Sequence, residues 1–88
     1  MANNDYRASL AGEWVNLNTL LSVAVGTDLR IQNQTTGAVY ISIMDTQPTD
    51  NDPSVIIPAK FEFPLNIVGE TEAVWAKGNG KIWVQEMV

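Results

Sequence analysis

The last sixteen residues constrain the fold more than any other part of the sequence. Residues 73–76 and 81–88 are rich in apolar side chains and flank the tripeptide Gly78-Asn79-Gly80. Two such segments around a Gly-Asn-Gly tip predict an antiparallel β-hairpin. No segment of the chain repeats apolar residues at helical spacing as strongly as these residues indicate a hairpin. We therefore expect an all-β domain.

Strict alternation predicts a pair of strands nearer the middle of the chain. Residues 28–33 alternate polar and apolar side chains, which places Leu29 and Ile31 towards a core. Turn-forming residues follow at 34–37, and residues 38–44 are predicted to form the neighbouring strand. That strand carries apolar residues on both sides, so it should be central or covered by another element.

Prolines mark the region that follows as peripheral. Three of them, at 53, 58 and 64, surround two short predicted strands at 54–57 and 61–63. Because proline cannot donate a ladder hydrogen bond, this region is expected at a sheet edge or in irregular structure.

The remaining segments give weaker predictions. Residues 14–17 indicate a short strand followed by a single turn capped by Asn18, with a short helix over 17–24 as the competing interpretation. Another brief strand is expected at 65–68. Residues 1–12 are polar or small and lack periodicity, so they predict a flexible N-terminal arm.

Length and composition then set the class of protein. Eighty-eight residues, 45% of them hydrophobic, make one core, and we expect a small antiparallel β-sandwich of about six to eight short strands over residues 13–88. The sequence contains no cysteine and no histidine, which excludes disulfides, zinc sites built on those residues and imidazole catalysis. A domain this small commonly gains stability by association, so a homo-oligomer is expected.

Charge argues against nucleic acid as a partner, and the distribution of apolar residues argues against a membrane. The net charge is -5, and the five cationic residues are scattered along the sequence, so nucleic-acid binding is not expected. Residues 45–72 account for the whole net negative charge. This stretch is either a solvated acidic edge or a surface matched to a basic partner.

The most apolar window, 14–25, is interrupted by polar residues and too short to span a membrane. No export signal is visible at the N-terminus, which predicts synthesis in the cytoplasm.

Trp83 is the leading candidate for contact with another molecule. If Ile82 and Val84 face the core, period-2 geometry puts Trp83 and Gln85 on the opposite side. A packed structural ring is the alternative. Trp75, with small neighbours, is expected to fill the core. The full set of predicted interface residues is Trp83, Tyr40, Gln85, Met87, Val88, Tyr6 and Trp14.

No catalytic, cofactor or metal site is predicted. The acidic loop at 45–52 could hold calcium, but it lacks the glycine and the distant bidentate glutamate of an EF-hand. Glu62, Glu70 and Glu72 suggest a carboxylate pair of the glycosidase kind, yet nothing in the sequence brings them to a pocket. A non-enzymatic protein is therefore expected.

Five segments together resemble small β-sandwich structural proteins of tailed bacteriophage virions. They are GTDLRIQN (26–33), AVYI (38–41), QP (47–48), VWAK (74–77) and GKIWVQE (80–86). The resemblance implies a multi-copy virion component made in the host cytoplasm, with capsid or tail subunits as partners.

Within that class, a capsid decoration or cement protein bound to the assembled head is the first expectation, and a tail or fibre-attachment adaptor is the alternative. From another class, a stand-alone carbohydrate-binding module would need coplanar exposed aromatic rings, for which Trp83 and Tyr40 are the candidates.

Overall fold

The described residues form eight β-strands, which are arranged in two stacked sheets. The computed structural model describes residues 5–49, 52–65 and 72–86. Within them lie β1 (Asp5–Ala11), β2 (Val15–Asn16), α1 (Leu17–Leu21), β3 (Leu29–Asn33), β4 (Val39–Met44), β5 (Val55–Ile57), β6 (Glu62–Leu65), β7 (Ala73–Lys77) and β8 (Asn79–Glu86). Sheet A has the strand order β1-β8-β3-β6, and sheet B has the order β2-β7-β4-β5. All strand pairs are antiparallel, which confirms the predicted all-β sandwich.

The core lies between the two sheets. Sheet A contributes Ala8, Leu10, Leu29, Ile31, Ile82 and Val84, and sheet B contributes Val39, Ile41, Ile57, Val74 and Ala76. Each is at most 4% exposed. The predicted inward faces of β3 and β4 are therefore right, and β4 occupies the central position that its two apolar sides required. Burial of this apolar surface is the main stabilising term.

The predicted C-terminal hairpin is wrong, because its two strands belong to different sheets. β7 pairs with β2 and β4, whereas β8 pairs with β1 and β3. Gly78 is the corner at which the chain crosses from sheet B to sheet A. A Cβ atom there would lie 3.0 Å from Val39 Cγ2, so the buried corner favours glycine. The chain changes sheets here because β8 pairs over its length with β1 on one side and with β3 on the other, both in sheet A.

The predicted pairing of β3 with β4 is wrong for the same reason. The two strands face each other across the core instead of sharing a sheet. Asn33 fixes the crossing: its side chain is fully buried, donates to Gly37 O and Ile57 O, and accepts from the Thr35 amide at 2.8 Å. Such a satisfied buried side chain holds a tight corner without leaving backbone groups unpaired.

The flexible arm predicted for residues 1–12 is wrong for residues 5–11. These form β1, which pairs with β8 over seven consecutive positions from Asp5↔Gln85 to Ala11↔Asn79. Ala8 and Leu10 point inward and are buried, so the segment has the period-2 pattern that its small residues concealed. Residues 1–4 lie outside the described part of the chain.

The N-cap of the single described helix lies two residues before the predicted position. Asn16, and not Asn18, is the N-cap, since its side chain accepts from the Thr19 amide at 3.1 Å. Asn18 is buried instead: it donates to Val23 O and accepts from the Val74 amide at 2.8 Å, which ties α1 to β7. Among the described residues no helix is long and apolar enough to cross a membrane.

The proline-rich region lies at the periphery, as predicted. β5 and β6 are the outer strands of sheets B and A, and Pro64 lies within β6. Edge positions tolerate proline because one side of the strand makes no ladder hydrogen bonds. Of the brief strand predicted at 65–68, only Leu65 falls within the described residues, as the last residue of β6.

Candidate functional site

The outer side of sheet A carries Trp83 at its centre. Strand register sets one residue from each strand in a row across the sheet, in the order Arg7, Trp83, Gln32, Glu62. Lys81 and Gln85 flank the indole along β8, and Arg30 lies opposite Gln85. We call the side chains of Arg7, Arg30, Gln32, Lys81, Trp83 and Gln85 the Trp83 face.

Trp83 points away from the core, as the alternation of β8 predicts. Ile82 and Val84 are fully buried, whereas Trp83 and Gln85 are half-buried. The indole therefore lies among long polar neighbours on the surface of the sheet. It is neither sealed inside the subunit nor projecting freely.

The fold gathers cationic residues that the sequence scatters. Arg7, Arg30 and Lys81 come from three strands and lie on the Trp83 face, so three of the five Lys and Arg residues share one side of the molecule. Sequence reasoning missed this cluster, because the residues lie far apart along the chain. The pairing of β8 between β1 and β3 brings them together.

Tyr40 does not belong to the Trp83 face. It lies on β4 in sheet B, between Lys77 on β7 and Ile56 on β5, with 38% of its surface exposed. Because the two sheets are stacked, Trp83 and Tyr40 are on opposite outer sides of the sandwich. They cannot form one aromatic platform.

A second site lies on the outer side of sheet B. Trp14, Tyr40, Thr49, Asp52, Ser54 and Lys77 line an open cavity of about 300 Å³, which we call the Trp14 pocket. Three of these residues, Thr49, Asp52 and Ser54, come from the segment between β4 and β5, in which Pro53 O accepts from the Ser42 hydroxyl at 3.1 Å. The Asp52 carboxylate accepts from the Thr49 amide at 2.7 Å and from its hydroxyl at 3.1 Å.

Trp14 presents ring surface and not its N–H to this pocket. The Lys77 ammonium lies 6.0 Å from the centre of the Trp14 ring, at the outer range of a cation–π contact. The indole N–H is closed off from solvent and has no hydrogen-bond acceptor among the described residues. Trp14 is one of the predicted interface residues, and its place in one cavity with Tyr40 is not evident from the sequence.

Trp75 differs from its prediction as a core residue. Val74 and Ala76 are the buried residues of β7, which turns the Trp75 side chain to the outer side of sheet B, where it is half-buried. Its indole N–H donates to Met44 O at 2.9 Å. Ring volume suggested the core, but the alternation of the strand decided the side.

The other predicted interface residues are separated. Tyr6 faces inward at the edge of sheet A, is half-buried, and donates from its hydroxyl to Glu86 Oε1 at 3.2 Å. Met87 and Val88 lie outside the described residues.

The carboxylates do not converge. Within the described residues no group of three or more side chains of the metal-binding type comes together. Glu62 lies on β6 in sheet A, whereas Glu72 immediately precedes β7 in sheet B. Glu70 lies outside the described residues.

Comparison with known proteins adds no relative: no family model, no curated protein and no solved structure matches this chain. The resemblance to virion proteins therefore stays a prediction, and the functional argument depends on the two surfaces themselves.

Proposed function

We propose that this protein is a non-enzymatic structural component of a tailed bacteriophage virion that binds another protein through the Trp83 face. The observation that carries the binding role is the half-buried indole on the outer side of sheet A, with Arg7 opposite it and Lys81 beside it. Tryptophan and arginine dominate the energetics of protein interfaces. The virion setting is supported by the sequence resemblance alone.

A capsid decoration or cement protein on the assembled head is the specific form of this proposal. Its partners are capsid subunits and further copies of the chain, with no role for nucleic acid or membrane. Arg7, Arg30 and Lys81 outnumber Glu62, the one carboxylate in the row through Trp83, so the partner patch that meets this face is expected to be acidic. For the acidic stretch 45–72, a solvated edge and a surface matched to a basic partner both stay predictions.

A tail or fibre-attachment adaptor would use the same surface and remains the alternative. Shell lattice sites favour three-fold or monomeric copies, whereas tails demand three-, six- or twelve-fold rings, so a six- or twelve-fold ring would favour the tail. A carbohydrate module built on Trp83 and Tyr40 is not supported, because those rings lie on opposite sides of the sandwich.

The test is the substitution Trp83→Ala, with Phe61→Ala as the matched control. Phe61 is an aromatic residue that is 63% exposed and lies outside both surfaces. We expect Trp83→Ala to keep its circular dichroism spectrum and to lose self-association and particle binding, by about 2 kcal/mol or more if the ring is a hot spot. Phe61→Ala should retain both.

Sedimentation velocity would measure self-association, and co-sedimentation would measure binding to particles of the virus that encodes the chain. An assembly profile of Trp83→Ala that matches the unchanged protein would refute the role of this face.

A further inference from the structure

We propose that the Trp14 pocket binds a neutral saccharide ring. The site is independent of the Trp83 face, because it lies on the outer side of the other sheet and shares no residue with it. The proposal therefore goes beyond a role in assembly.

The walls of the pocket match the apolar side of a sugar ring. Trp14 and Tyr40 both line the cavity, and 38% of Tyr40 is exposed. The C–H groups of one side of a pyranose form an apolar patch that packs on aromatic carbon. Because the Trp14 N–H is closed off from solvent, Trp14 contributes carbon surface to such a contact.

The polar residues match the hydroxyl groups of a sugar. Four of the six lining residues, Thr49, Asp52, Ser54 and Lys77, carry hydroxyl, carboxylate or ammonium groups. An ionised carboxylate can accept roughly four hydrogen bonds. Thr49 donates two to Asp52, which orients the carboxylate. Sugar hydroxyls, which both donate and accept, can use the remaining capacity of Asp52 and the Ser54 hydroxyl.

Charge favours a neutral ligand over an anion. Among the described residues that line the pocket, the formal charges of Asp52 and Lys77 cancel, and the whole chain carries a net charge of -5. An anionic ligand would approach an acidic protein without a cationic excess at this site.

Size limits the ligand to about one ring. A cavity of about 300 Å³ lies at the lower end of the range for small-molecule sites, roughly 300–1,000 Å³. Its open mouth allows further sugar units to extend into solvent.

The experiment screens the full chain against glucose, galactose, mannose, N-acetylglucosamine and their short oligomers, by saturation-transfer NMR followed by titration. The variants are Tyr40→Ala, which removes an aromatic wall, and Asp52→Asn, which keeps the shape and removes the charge. Phe61→Ala serves as the exposed aromatic control. Circular dichroism verifies that each variant is folded.

We expect at least one of these sugars to bind the unchanged protein. The dissociation constant should rise about tenfold or more in Tyr40→Ala and in Asp52→Asn, and it should be unchanged in Phe61→Ala.

Two outcomes would overturn the proposal: none of the sugars binds the unchanged protein, or binding persists undiminished in both pocket variants. Trp83→Ala separates this idea from the proposed assembly role, since its effects should be confined to self-association and particle binding. The saccharide proposal can thus be refuted while the proposed assembly role is upheld, and the assembly role can be refuted while the saccharide proposal is upheld.

Discussion

The outer sides of the two sheets obey the same alternation and yet differ in shape. On sheet A, four strands each place one residue in a row through Trp83. On sheet B, β5 pairs only with the residues Val39 to Ile41 of the six-residue β4. Thr49, Asp52 and Ser54, from the segment between these two strands, help to line the Trp14 pocket.

Charge separates the two surfaces as well. The Trp83 face holds three of the five cationic residues, whereas the described lining of the Trp14 pocket contains one lysine and one aspartate. A cationic surface around an indole suits another protein, and a concave site without excess charge suits a small polar ligand. Alternation thus decides which residues face outward, while strand length and loop path decide what the outward residues can bind.

The largest effect on the free energy of unfolding is expected for a substitution in the core that supports both surfaces. Ile82 is fully buried beneath Trp83, and replacing it with alanine should lower the free energy of unfolding by about 2–5 kcal/mol. Ile56→Ala is the matched control, since Ile56 is 58% exposed and surface changes stay within about 0.5 kcal/mol. Urea unfolding measures both. Equal losses would show that the core does not lie between the sheets as described.

Sequence reasoning identified the class of fold and most inward faces, because these depend on local periodicity. Leu29, Ile31, Ile82 and Val84 all point inward as alternation predicts. The prolines at 53, 58 and 64 correctly predicted that the middle region lies at the sheet edges, because proline lacks the N–H group that a central strand needs.

Strand pairing could not be predicted in the same way. A Gly-Asn-Gly segment favours a hairpin locally, but β7 and β8 have longer partners elsewhere, and those contacts are distant in sequence. The neighbours of the two sites follow from that pairing. Arg7 lies opposite Trp83 only because β1 pairs with β8. Trp14 and Tyr40 line one pocket only because β2, β7 and β4 are neighbours in sheet B.

An intermediate effect is expected at the corner that turns β8 into the other sheet. The Cβ atom of Gly78→Ala would lie 3.0 Å from Val39 Cγ2 in the packed core. We expect a loss of about 1 kcal/mol in the free energy of unfolding, because overpacking outweighs the reduced entropy of the unfolded chain.

Gly37→Ala is the control for this corner, because its added Cβ would meet nothing within 4 Å. It should be neutral or stabilising by up to about 1 kcal/mol. Thermal unfolding of the two variants compares them directly, and a stabilising Gly78→Ala would mean that the corner has room to spare.

The smallest effect tests whether the two surfaces are independent. Trp83 and Tyr40 lie on opposite outer sides of the sandwich, and stacked sheets are about 10 Å apart. In a double-mutant cycle of Trp83→Ala and Tyr40→Ala, the changes in unfolding free energy should add within about 0.5 kcal/mol, since such sites share no contacts. A larger coupling, measured by urea unfolding of the four proteins, would mean that the core transmits strain between the surfaces. In that case a ligand in the Trp14 pocket could alter assembly through the Trp83 face, and the two would have to be treated as one site.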